Sequence, residues 1–192
     1  MSIGKIIVVS SVFVVLNVTG AQAIWSDTKQ DAETQTEMWP PEWLEGVWEN
    51  ESTSVTLDGR PTGKSFSFAK YYIFTSGYRF SVFEGRRVSA TPMIGQTQHG
   101  DELHCLFKMT RNRHAMRTKF IRHEQKAEYT SYLVSSSDGK RYKLTRQLSR
   151  IPIDQAWIGK VKTTFEKEFY SPHSDSAQEI LEGWMQQVVA KP

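Results

Sequence analysis

Between Val47 and Ser149 the chain breaks into short segments in which aromatic, aliphatic and β-branched residues recur at every second position. That is the period of a strand with one covered face. Phe66, Phe68, Tyr72 and Phe74 share one parity against Ser65 and Ser67; Leu103, Cys105, Phe107 and Met109 share one against Glu102, His104 and Lys108. The pattern predicts strands over 47–57, 65–75, 78–83, 87–94, 102–109, 114–123, 127–135 and 141–149. The breaks carry turn residues: Asp58-Gly59, Ser76-Gly77, Glu84-Gly85, His99-Gly100-Asp101, Arg111-Asn112 and Ser137-Asp138-Gly139. About eight strands joined by short loops predict a mainly β fold, an antiparallel up-and-down barrel of sequential neighbours.

After Pro152 the period lengthens. Trp157, Val161, Phe165 and Phe169 recur every four residues, one face of a helix that Asp154 would cap. Ser176 and Glu179 form a capping-box pattern, and Ala177, Ile180, Leu181, Trp184 and Val188 follow as an apolar stripe. Strands first and helices last predict a barrel with C-terminal helices. An open curved sheet packed on those helices is the alternative.

Upstream, Trp39-Pro40-Pro41-Glu42-Trp43-Leu44 reads as an anchored turn or a short helix starting after the prolines. Before it, Ile24 to Met38 is polar and without period. At the start, Lys5 precedes an apolar run from Ile6 to Val18, and Ala21-Gln22-Ala23 closes it, the form of a secretory signal peptide. The run is too short to span a bilayer comfortably. The expected organisation is therefore a signal peptide over 1–23, a flexible polar leader over 24–38 and a single barrel domain over 39–192. The location would be periplasmic or secreted, with no transmembrane anchor after cleavage. The single cysteine, Cys105, allows no intramolecular disulfide and reads as a small core hydrophobe, which favours a bacterial periplasm over an animal extracellular fluid.

Charge changes the picture locally. The formal net charge is only +3, which argues against nucleic acid as a partner. From Lys108 to His123, however, there are six Lys or Arg residues and no acid. Arg111, Arg113, Arg117 and Lys119 share a parity facing away from Met116, Thr118 and Phe120. Such a face could meet anionic envelope lipid or an acidic protein; the plainer reading is a solvated strand face guarded against edge pairing. No nucleophile elbow, S-x-x-K motif or Cys–His pairing stands in a typical catalytic context. Glu84, Asp101, Glu102 and His104 are the acid–base candidates, each more simply a loop or surface group. His99 and His104 lack any zinc spacing, so neither metal nor cofactor is expected.

Gly46-Val47-Trp48, opening the first strand, resembles the Gly-x-Trp signature of the lipocalins and their calycin relatives, including fatty-acid-binding proteins and avidins. The resemblance implies a barrel with Trp48 at its closed end and a basic residue of the last strand, Arg146, across the indole ring. The plainer reading is a core tryptophan of any β domain. The chain lacks the Thr-Asp-Tyr triplet and the disulfide of lipocalins. In a barrel, Phe66, Phe68, Tyr72, Phe74, Tyr78 and Phe80 would line a cup for a small hydrophobic ligand, or simply fill the core. The expected function is non-catalytic carriage or sensing of such a ligand. The alternatives are an envelope interaction module docking through the basic face and an extracytoplasmic enzyme.

Overall fold

A computed structural model describes residues 40–108, 115–171 and 176–190. The signal peptide and leader, together with Met109, Arg111 and Arg113, lie outside the described residues. Strands β1 (Gly46–Leu57), β2 (Arg60–Pro61), β3 (Tyr71–Thr75), β4 (Tyr78–Phe83) and β5 (Arg87–His99) come first. They are followed by β6 (Glu102–Lys108), β7 (Ala115–His123), β8 (Lys126–Val134) and β9 (Arg141–Arg150). Helix α1 (Gln155–Lys167), strand β10 (Phe169–Tyr170) and helix α2 (Ser176–Ala190) complete the described chain.

Each long strand pairs antiparallel with its neighbours in sequence, β9 returns to β1, and β5 pairs β6, so β1 and β3 to β9 form a closed eight-stranded barrel. Local chemistry sets this order. Ser76 (φ 45°) and Gly77 (φ 81°) turn the chain in two residues between β3 and β4, matching the right-handed twist of the strands. The short strand β2 folds back on the end of β1, and β10 adds in parallel to β5 at Val88 and Ser89.

Two apolar cores share the wall. Inside the barrel lie Trp48, Tyr72, Phe74, Phe107, Phe120 and Tyr129, with Leu44 at one end. Outside it, α1 and α2 place Trp157, Val161, Leu181 and Trp184 against Ile73, Phe80, Val82 and Val88. Strand β3 is therefore buried on both faces at every residue, so its Tyr-Tyr-Ile-Phe run shows no polar alternation. Asp154 caps α1 by accepting the Trp157 N–H at 2.7 Å.

Three boundaries differ from the sequence pattern. The predicted strand over 65–75 is a strand only from Tyr71; its first half keeps the alternation of half-buried and exposed residues without joining a ladder. Strand β5 runs on to His99, with its register to β6 shifted between Met93 and Gly95. Helix α1 ends at Lys167, where Glu168 turns extended, so Phe169 meets Phe165 (ring centroids 4.9 Å apart) from a strand.

Candidate functional site

The barrel end holding Gly46 and Arg150 is closed. The Pro41 carbonyl accepts the N–H groups of Leu44 at 2.8 Å and Glu45 at 3.1 Å, a tight turn that seats Leu44 fully buried in the end of the barrel. Trp48 Nε1 donates to the Leu44 carbonyl at 2.8 Å. The cation over Trp48 is Arg150, not Arg146: its guanidinium lies 6.0 Å from the indole ring and donates to the Glu45 carbonyl at 2.5 Å. Both arginines share the even parity of β9, so parity cannot choose between them. The ladder does, because Trp48 pairs directly with Arg150 while Arg146 pairs with Thr53, about 13 Å further along β9 at roughly 3.3 Å per residue.

The middle of the interior is built from two arginines around one tyrosine. Arg146 projects from β9 and is 6 % exposed; it donates to Ser131 Oγ at 2.9 Å and lies 4.8 Å from the Tyr129 ring and 5.4 Å from Phe68. Arg79 projects from β4, donates to the Tyr129 hydroxyl and to Thr91 Oγ1 (3.2 Å), and lies 4.7 Å from the Phe107 ring. No carboxylate pairs with either guanidinium among the described residues, and the Nε–H of each is buried without a partner. Burial pushes the Tyr72 hydroxyl above its ordinary pKa, while the charges of Arg146 and Arg79 pull it back only in part.

The expected lining residues divide. Tyr72 and Phe74 face inward, with Tyr72 edge-on to Tyr129 (5.5 Å) and Phe74 edge-on to Phe120 (5.4 Å). Phe66 and Phe68 lie against inward-facing side chains of β9, Phe66 edge-on to Tyr142 at 5.3 Å and Phe68 beneath Arg146. Tyr78 and Phe80 instead face the helices. The two-residue turn is the reason: it pairs Thr75 with Tyr78 and Ile73 with Phe80, so the inward parity changes from even in β3 to odd in β4. That shift turns Arg79 and Ser81 inward. The same reading of the Ser76-Gly77 turn would have found Arg79 from sequence.

Residues 63–69 carry Phe66 and Phe68 and make no backbone-to-backbone hydrogen bond among the described residues. Side chains hold them. Lys64 donates to Ser135 Oγ (2.8 Å), Ser137 Oγ (2.9 Å) and the Asp138 carboxylate, which also accepts from the Tyr142 hydroxyl at 2.7 Å. Arg86 donates to Ser67 Oγ at 2.8 Å, and Asn50 Nδ2 to the Ala69 carbonyl at 3.2 Å.

Outside, Arg117 is exposed on β7 and Lys119 donates to Glu102 Oε1 at 2.5 Å, which lowers the Glu102 pKa. Strand β8, with Glu128 turned to the same side, separates β7 from the basic residues of β9. His104 Nε2 lies 3.4 Å from Glu102, and Glu84 and Asp101 are exposed in turns. The described residues hold no group of three or more His, Cys, Asp and Glu side chains able to bind a metal ion. Compared with protein-family models, curated proteins and solved structures, the chain matches none.

Proposed function

We propose that this protein is an exported, non-catalytic binding protein that carries or senses a small hydrophobic ligand inside its barrel, and that it stands beside the lipocalins and other calycins. The observation that carries the reading is the segment over 63–69. It contributes Phe66 and Phe68 to the inward-facing aromatic cluster, yet leaves the ladder of the closed wall untouched, because side chains alone fasten it. Swinging it outward breaks no strand pairing and exchanges two aromatic rings for an apolar ligand of similar character. Tyr72 and Phe74 then form the fixed wall, and the buried hydroxyl of Tyr72 stays neutral and able to orient a polar atom. The pair of Trp48 and Arg150 at the opposite end supports the calycin placement.

Docking through Arg111, Arg113, Arg117 and Lys119 draws less support, because Lys119 is already engaged with Glu102 and β8 interrupts the basic face. The test is titration with a neutral fluorescent apolar probe such as N-phenyl-1-naphthylamine. Saturable binding that tightens in the Phe66→Ala/Phe68→Ala variant is the expected result, since that variant empties the space the ligand would take. Absence of saturable binding in both proteins overturns the reading.

A further inference from the structure

The interior holds two buried guanidinium groups that the hydrophobic-ligand reading leaves unused, and one of them lines a pocket. Arg79 is 8 % exposed and its Nε–H has no partner, although its other nitrogens are engaged. It lines a pocket of about 170 Å³ beside β5 and β10. Among the described residues, 87–92 of β5 ladder with β4 but not with β6; pairing to β6 begins at Met93, and β10 pairs with β5 at Val88 and Ser89.

Three cations line this space, Arg79 from β4, Arg87 from β5 and Lys108 from β6, with the hydroxyl-bearing residues Ser81, Ser89, Thr91 and Tyr170. No Asp or Glu is among the described lining residues. Its volume is below the roughly 300–1,000 Å³ of a whole small-molecule site, so it suits a group and not a molecule. Its lining comes from four strands and includes three cations, a balance that favours a dianion over a singly charged carboxylate. A phosphate there would lie beside the buried Arg79 guanidinium and give it the counter-charge that no described carboxylate provides.

We propose that the pocket between β4, β5 and β10 binds a phosphate group through Arg79, Arg87 and Lys108, and that this phosphate is the head of the barrel's apolar ligand. The inference rests on the barrel-binding reading for the apolar part alone. The exposed pair Arg87 and Lys108 offers variants that leave the core intact.

The experiment compares octyl phosphate, octanol and inorganic phosphate by calorimetric titration of the intact protein and of Arg87→Gln/Lys108→Gln. Octyl phosphate is expected to bind at least ten-fold more tightly than octanol, and the double variant is expected to erase that advantage while keeping octanol affinity and melting temperature. Equal binding of octyl phosphate and octanol overturns the phosphate site and leaves the barrel reading standing. Inorganic phosphate binding as tightly as octyl phosphate, with octanol silent, supports the site as one for the free anion and overturns the apolar ligand. An advantage that survives in the double variant overturns the assignment of these residues.

Discussion

Trp48 and Arg150 face each other directly across the β1–β9 ladder, and the arginine reaches over the indole ring to the Glu45 carbonyl beyond it. The pair links the first strand, the last strand and the turn that plugs the barrel. Arg150→Ala removes an exposed cation–π contact worth about 0.5–1 kcal/mol and a hydrogen bond with a net worth of about 0.5–1.5 kcal/mol. A loss of about 1–2 kcal/mol is expected, read as a lower urea midpoint at unchanged slope. Arg146→Ala acts elsewhere and should leave the Trp48 fluorescence maximum where it is, whereas Arg150→Ala should shift it.

Cys105 is 2 % exposed between Leu103 and Phe107 on the inner face of β6, and burial pushes its thiol pKa strongly upward. A thiol in this state is a poor nucleophile. Ellman's reagent should leave it unmodified in the folded protein and label one thiol per chain once urea unfolds it. Fast labelling without denaturant would show that the barrel opens readily at β6.

How far this fold was legible depended on which signal was at work. Period-two alternation located the barrel strands other than β3, whose residues are buried on both faces, and helical spacing located α1 and α2. What alternation could not carry was phase across turns. Tyr78 and Phe80 looked like lining residues because their number parity matched Phe74, and only the two-residue turn puts Arg79 inward in their place. The strand expected over 65–75 failed for a different reason. Its alternation reflects side chains docked over the interior, which hydrophobic pattern reports as well as it reports a ladder. Arg146 against Arg150 was a matter of register, a long-range property of the β1–β9 pairing, shifted by an irregularity between Asn50 and Ser52. The candidate site itself was only half visible: Tyr72 and Phe74 could be read, whereas Arg79, Thr91, Tyr129 and Ser131 come together from three strands.

Arg146 sits among Phe68, Tyr72 and Tyr129 with no carboxylate partner among the described residues. Removing a guanidinium from water costs several kcal/mol, while a desolvated cation–π contact returns about 2 kcal/mol. A residue kept for stability alone would be apolar here. Arg146→Met, similar in length, should therefore leave the melting temperature unchanged or raise it. Arg146→Ala opens a cavity and should lower it. A Met variant as unstable as the Ala variant would assign the arginine a structural role.

Trp157 joins α1 to the outside of the barrel, edge-on to Tyr71 at 5.9 Å and to Trp184 at 6.4 Å. Trp157→Ala should cost about 3–5 kcal/mol, visible in thermal melts. Because the indole lies outside the wall, affinity for a neutral apolar probe should be unchanged at temperatures where the variant is folded. A parallel loss of affinity would place the binding space between the helices and the sheet.

Lys64 and Asp138 fasten the segment bearing Phe66 and Phe68, and the pH response of that fastening has a definite sign. Hydrogen bonds from Lys64, the Lys140 N–H and the Tyr142 hydroxyl hold the Asp138 carboxyl well below the usual carboxylate range, and the same contact raises the Lys64 pKa. A carboxyl whose folded pKa is depressed contributes stability above its unfolded value of about 3.9 and loses it only as pH falls through the folded value. The clip should thus persist through mildly acidic pH and release only under strong acid. Side-chain carboxyl NMR should show Asp138 titrating below the other aspartates, and returning toward them in Lys64→Gln. In Asp138→Asn the amide order parameters of 63–69 should fall at neutral pH, with β3 and β9 unaffected, and a neutral apolar probe should associate faster. Order parameters and association rates equal to those of the unaltered protein would show that the segment is held by Phe66 and Phe68 themselves, and that ligand reaches the interior by another path.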